Sequence, residues 1–137
     1  MVEYYLDTCI WLNLFKKEKR FWKITKEFIE QASTKEKIIF VSTIVLKELS
    51  FKSQSNFKDI LIFFKLQKYV KLIKTTPEDY DYARNLETTD KFSLSFYDYL
   101  HIALSKRLNC VLVTRDRELI KTATKFIICK KPEELIN

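Results

Sequence analysis

Apolar residues fall along this chain in two alternating rhythms, short unbroken runs and longer stretches with helical spacing, which predicts strands separated by helices. Val2 to Leu6 is apolar except for Glu3 and reads as a buried strand, after which the spacing becomes helical through Ile10, Trp11, Leu14 and Phe15. A second, basic amphipathic helix follows. Phe21, Trp22, Ile24, Phe28 and Ile29 supply its apolar positions, and Lys16, Lys17, Lys19, Arg20, Lys23 and Lys26 its polar ones. Ile38 to Val41 is the next buried strand, with Ser42 as N-cap of a helix from Thr43 to about Phe51. Asn56 to Tyr69 reads as a helix leading into a third strand, Val70 to Ile73. Thr76 caps a further helix, with Pro77 at the first helical position and Asp79 three residues on. Asp90 to Ser95 is a polar connection, and Ser95 caps a helix that carries Asp98 three residues later. Val111 to Val113 and Phe126 to Ile128 are the fourth and fifth predicted strands.

Strands joined through helices call for right-handed crossovers, so the expected class is α/β, three layers, α/β/α, around a mainly parallel five-stranded sheet. At 137 residues and 47% hydrophobic, residues 1–137 are expected to form one domain with one core. Glycine is wholly absent, which removes phosphate-cradling Gly-rich loops, the dinucleotide turn and the nucleophile elbow together. One histidine excludes His-pair catalysis, and Cys9, Cys110 and Cys129 are too far apart for a zinc ribbon, so reduced, partly buried thiols are expected. Any catalysis must lean on carboxylates. No apolar run approaches the roughly 18 residues of a bilayer span, and the acids Glu3 and Asp7 break the pattern of an export signal, so a cytoplasmic protein without a membrane partner is expected. The net charge of +7 favours polyanionic partners such as RNA or DNA, although a lysine-rich surface alone would give the same figure.

In parallel sheets functional groups collect beyond the carboxyl ends of the strands. Asp7 ends the first strand, Asp116 follows the fourth, Asp98 opens the helix before it, and Glu48 sits on the helix after the second. Taken singly, Asp7 is equally a helix cap, Asp98 the acid of a capping box, Asp116 a loop charge and Thr114 a turn residue. Glu48 is harder to dismiss. At about 100° per residue it projects from the apolar stripe that includes Ile44, Val45 and Leu49, so it requires a cation or a dedicated hydrogen-bond partner. A buried Lys or Arg would serve for one acid, whereas several converging acids favour Mg²⁺ or Mn²⁺, which takes oxygen ligands and supports phosphodiester hydrolysis without histidine.

Four blocks in order carry a resemblance over essentially the whole chain: Tyr5-Leu6-Asp7-Thr8-Cys9-Ile10-Trp11-Leu12, Val41-Ser42-Thr43-Ile44-Val45-Leu46-Lys47-Glu48-Leu49, Asp98-Tyr99-Leu100-His101-Ile102-Ala103-Leu104-Ser105 and Leu112-Val113-Thr114-Arg115-Asp116-Arg117-Glu118-Leu119. The chain resembles the PIN-domain ribonucleases, and more closely the VapC type of toxin in toxin–antitoxin pairs. The resemblance implies an acidic site of Asp7, Glu48, Asp98 and Asp116 holding Mg²⁺ or Mn²⁺, with Thr8 and Thr114 as supporting hydroxyls. It also implies cleavage of RNA, a homodimer and, for the toxin branch, a small antitoxin protein. Ser105 departs from the alanine frequent at its position.

Arg115 and Arg117 flank Asp116 and are candidate RNA contacts, although arginines in a turn are usually solvated. His101, one turn beyond Asp98, is read as a helix-surface or packing residue. Trp11, Trp22, Phe63, Phe64 and Tyr97 are read as core or dimer interface. The expected function is therefore a metal-dependent endoribonuclease, the toxin of a toxin–antitoxin pair; the alternatives are an RNA-processing nuclease outside such a pair and a non-catalytic RNA- or protein-binding module.

Overall fold

The computed structural model describes residues 2–137. Five parallel strands, β1 (Tyr4–Leu6), β2 (Ile39–Ser42), β3 (Val70–Ile73), β4 (Val111–Val113) and β5 (Cys129–Lys130), form one sheet in the order β3-β2-β1-β4-β5. Seven helices connect them: α1 (Thr8–Phe15), α2 (Trp22–Thr34), α3 (Thr43–Ser53), α4 (Phe57–Lys65), α5 (Pro77–Thr89), α6 (Phe96–Leu108) and α7 (Arg117–Ala123). From β1 the chain steps outward through β2 to β3, then crosses back beyond β1 to β4 and continues to β5. Right-handed crossovers in opposite directions put α1 to α4 on one face and α5 to α7 on the other. The packing agrees: α1 contacts α2 and α3, α3 contacts α4, and α5 lies along α6. The expected α/β/α arrangement is therefore the observed one.

The central strands are buried along their whole length, as both-face coverage demands. Tyr5, Leu6, Ile39, Val41, Leu112 and Val113 form the middle of the core, and Trp11 packs edge-on against Phe64 with ring centroids 4.7 Å apart. Capping follows the sequence. Ser42 accepts from Val45 N, and Thr76 with Asp79 forms a complete capping box behind Pro77. Three strand boundaries differ. The first strand starts at Tyr4, the second is Ile39–Ser42 where Ile38 to Val41 is expected, and the fifth is Cys129–Lys130, where Phe126 to Ile128 is expected. After α7 the backbone makes a turn, with Phe126 and Ile127 N–H both donating to Ala123 O, so those apolar residues close the helix before pairing with β4 begins.

A chain without glycine must place other residues wherever the backbone turns left-handed. Lys17, Glu36, Gln54, Lys91, Phe92 and Asn109 all have φ between 46° and 58°. Gln54 and Asn109 do so as C-caps of α3 and α6, the position glycine ordinarily takes. Phe92 is the costliest choice, because its Cβ crowds the backbone while its ring is 65% exposed and returns little. Phe92→Gly is expected to stabilise the fold by about 0.5–1 kcal/mol, the relief of left-handed strain less the entropy glycine adds to the unfolded chain. Urea denaturation of the two proteins measures it; an unchanged or lower midpoint contradicts the strain.

Candidate active site

The sheet reverses its strand order between β1 and β4, and at such a switch point the helices leave in opposite directions and open a crevice beyond the strand ends. Asp7 stands at that point. Its N–H donates to Val113 O at 2.9 Å, and its carboxylate caps α1 by accepting from Thr8 N at 2.7 Å. The other oxygen accepts from Thr114 Oγ1 at 2.8 Å and from the Cys9 thiol at 3.3 Å. Only 7% of Asp7 is exposed, so these donors replace the water that a buried carboxylate loses. Thr114 is shared: the same hydroxyl accepts from Asp116 N at 3.1 Å and ties the loop after β4 to the end of β1.

Glu48 comes to the same place on α3. It is half-buried, and Thr8 Oγ1 donates to its Oε1 at 2.8 Å. Its cationic neighbour on the same helix is Lys52 at 3.8 Å, itself half exposed, a pair of the sort that contributes little. Burial works against the charged form of Glu48, but the hydrogen bond and charge of His101, with Thr8 and Lys52, hold its carboxyl below the ordinary range. No arginine neutralises it among the described contacts.

His101 corrects the expectation of a surface or packing role. It is 1% exposed, and its Nε2 lies 3.5 Å from Asp7 Oδ1 and 3.4 Å from Glu48 Oε1. Its Nδ1 lies 2.7 Å from the Tyr5 hydroxyl, which lies 2.7 Å from Ser42 Oγ. Burial favours the neutral ring, yet the bond to Glu48 and the charges of Asp7, Glu48 and Asp98 push its pKa above the usual value. The signal for it in the sequence was spacing alone: three residues after Asp98 is the same face of the helix.

Asp98 and Asp79 show how one motif serves two ends. In both, the cap hydroxyl accepts from the acid's own N–H. At Asp79 the carboxylate returns the bond to Thr76 N at 2.8 Å and takes Arg107 Nε at 2.9 Å. No such return bond completes a box at Asp98. Burial, then the charge of Asp7, and further on that of Asp116, push the Asp98 carboxyl upward. Asp116 is exposed and caps α7, its Oδ1 accepting from Glu118 N at 3.0 Å and Leu119 N at 3.3 Å.

Arg115 is engaged within the protein. With 11% of its side chain exposed, it donates from Nε to Asn13 at 2.9 Å, meets Glu133 at 2.6 Å and lies over the Phe21 ring at 4.3 Å. It fastens the β4–α7 loop to α1 and to the C-terminal segment, so the expected RNA contact would require breaking those ties. Arg117, at the start of α7, is exposed. A cavity of about 770 Å³, lined in part by Glu3, Cys110, Val111 and Ile128, lies where β1 and β4 begin, at the opposite end from the acids.

Among the described residues no three His, Cys, Asp or Glu side chains are gathered closely enough to enclose a metal ion. The candidate ligands are nevertheless all carboxylates, and burial with the charge of Asp7 opposes the ionisation of Asp98, which suits a hard cation that keeps several waters and takes one or two carboxylates.

Residues 4–125 match the sequence family described as PIN domain, and the chain belongs to that family. PIN domains are generally nucleases, so the fold and the acidic cleft together define the class as nuclease-like. Solved structures with the same fold include VapBC2 from Rickettsia felis bound to a DNA fragment from its promoter, at 23% identity and a TM-score of 0.71 over 96% of this chain and 98% of that one. DNA-bound VapBC from Salmonella typhimurium has 14% identity and a TM-score of 0.69, over 96% and 99%. FitAcB from Neisseria gonorrhoeae has 16% and 0.64, over 96% and 99%. No curated protein sequence matches at a significant level.

Because the fold holds Asp98 above its unfolded pKa, its ionised form costs stability at neutral pH, a cost that vanishes once the acid is protonated in both states. Asp98→Asn is therefore expected to raise the melting midpoint at pH 7 in chelator, with the gain shrinking toward about pH 3, below the ordinary carboxylate range. Thermal melts across that window check it, and a midpoint lowered at pH 7 contradicts the assigned environment.

Proposed function

We propose that this chain is a Mg²⁺- or Mn²⁺-dependent endoribonuclease acting in the cytoplasm, in which Asp7, Glu48, Asp98 and Asp116 form the acidic site. The observation that supports the reading is the gathering of Asp7, Glu48 and Asp98 at the switch point, where burial and then the charge of Asp7 oppose the ionised form of Asp98 more than His101 favours it, a cost that a bound cation would offset. When bound, the ion supplies positive charge for the phosphoryl oxygens and lowers the pKa of water for attack on phosphorus. Asp7, Glu48 and Asp98 would hold it, with Asp116 at the rim.

The protein's own contribution is to orient those carboxylates. Thr8 and Thr114 fix Asp7 from two sides, and Thr8 also fixes Glu48, so their oxygens are set before substrate arrives. The +7 net charge favours binding of the RNA chain by counterion release, and exposed Arg117 beside Asp116 is a phosphate contact in this reading. The fold shared with VapBC and FitAcB supports the toxin member of a toxin–antitoxin pair, partnered by a small antitoxin and by a second copy of itself.

Purified protein with single-stranded RNA is expected to cleave it in Mg²⁺ or Mn²⁺ and to stop on chelation. Asp7→Asn and Asp98→Asn should each lower the rate on the order of a hundredfold or more while remaining folded by circular dichroism. RNA binding that survives chelation, with no cleavage at any metal concentration, would assign the chain to the non-catalytic alternative.

A further inference from the structure

We infer that His101, oriented by Tyr5 and Ser42, is a positioning residue that holds the Asp7 and Glu48 carboxylates in the arrangement the metal ion requires. The inference rests on the metal-dependent reading above and goes beyond it, since it concerns a side chain outside the acidic set.

Ser42, Tyr5 and His101 form a chain in which Tyr5 is the link, and each lies on or next to an element that leads to one of the acids. Tyr5 lies on β1 two residues before Asp7, Ser42 caps α3, which bears Glu48, and His101 itself lies on α6 one turn after Asp98. The Ser42, Tyr5 and His101 side chains are linked by two contacts of 2.7 Å, and all three residues are at most 1% exposed. Such a buried polar chain is tolerated only when every member is satisfied.

The two carboxylates that Nε2 faces give the chain a direction, because an unprotonated Nε2 would set its lone pair against both. Ser42 Oγ already accepts from Val45 N at 3.3 Å, so its one proton is free to go to the Tyr5 oxygen. The Tyr5 proton then goes to His101 Nδ1, which leaves the ring proton on Nε2, facing Asp7 Oδ1 and Glu48 Oε1. The doubly protonated ring carries the same Nε2–H, so the donor toward the acids is present in either form.

On the other side Thr8 closes a ring. Its N–H donates to Asp7 Oδ1 and its hydroxyl to Glu48 Oε1, the same two oxygens that His101 faces. Two carboxylates from segments 41 residues apart are thus bridged twice, once by Thr8 and once by His101. Removing the histidine bridge leaves Glu48 held by Thr8 and by Lys52, whose side chain is half exposed.

Mn²⁺ affinity, measured by calorimetry or electron paramagnetic resonance well below the melting transition, separates positioning from packing. Gln at position 101 can place its amide nitrogen near the site of Nε2, Asn reaches only as far as Nδ1, and Leu donates nothing. His101→Gln is expected to bind Mn²⁺ within about threefold of wild type, while His101→Leu and His101→Asn bind about 10- to 100-fold more weakly. Tyr5→Phe, which removes one oxygen and frees the ring to turn, is expected to weaken binding by about three- to tenfold. Wild-type affinity in folded Leu and Asn variants overturns the inference, as does a Gln variant as weak as Leu. If His101→Leu does not fold, Tyr5→Phe decides: unchanged Mn²⁺ affinity overturns the tether. A wild type that neither binds Mn²⁺ nor cleaves RNA sinks the metal-dependent reading itself, a result distinct from all of these.

Discussion

Carboxylates that share a crevice repel one another, and the architecture of this chain is organised around making that repulsion tolerable. The crevice exists because the strand order reverses between β1 and β4. Asp7 cannot avoid it: its backbone is the last link of the β1–β4 ladder, and its side chain caps the helix that follows. Several polar groups at this end of the sheet are arranged with respect to that one acid. Thr8 and Thr114 donate to it, Cys9 touches it, and His101 bridges from it to Glu48. What these donors leave unrelieved is the ionisation of Asp98, and that residue of frustration is the physical case for a bound cation.

The surroundings are built to keep this arrangement from relaxing. The first four helices and the last three cover opposite faces, so Asp7, Glu48 and Asp98 arrive from both sides of one rigid sheet. Arg115 adds a lock outside the cleft, joining the loop that carries Thr114 and Asp116 to α1 and Glu133. Side chains held by such contacts reach a ligand with little further ordering, which is how a small fold can present a preorganised site. Burial and the charge of Asp7 oppose the ionised form of Asp98, a cost in stability at neutral pH.

Much of this was legible in the residues themselves. Alternating apolar rhythms placed four strands close to their observed positions, and cap residues marked where α3, α5 and α6 begin. The fifth strand starts later than its apolar run because Phe126 and Ile127 close α7 through Ala123 O, and pairing with β4 begins only at the Ile128 carbonyl. The acids were found because strand ends in a parallel sheet are where chemistry collects, a rule of topology that needs no contact map. Capping does not exclude the proposed site roles: Asp7 and Asp116 are both N-caps. The burial of His101 and of Arg115 is not legible in the sequence, for one shared cause. The surroundings of each are assembled from segments far apart in the chain, Tyr5 and Ser42 for one, Asn13, Phe21 and Glu133 for the other, and no local pattern announces them.

Anomalous diffraction from crystals soaked in Mn²⁺ tests the central claim most directly, because it locates the ion without reference to turnover. The account predicts one or more peaks in the crevice beyond β1 and β4, within coordination distance of oxygens from Asp7 and Asp98. Crystals that diffract well, take up the metal elsewhere and leave that crevice without a peak would contradict it.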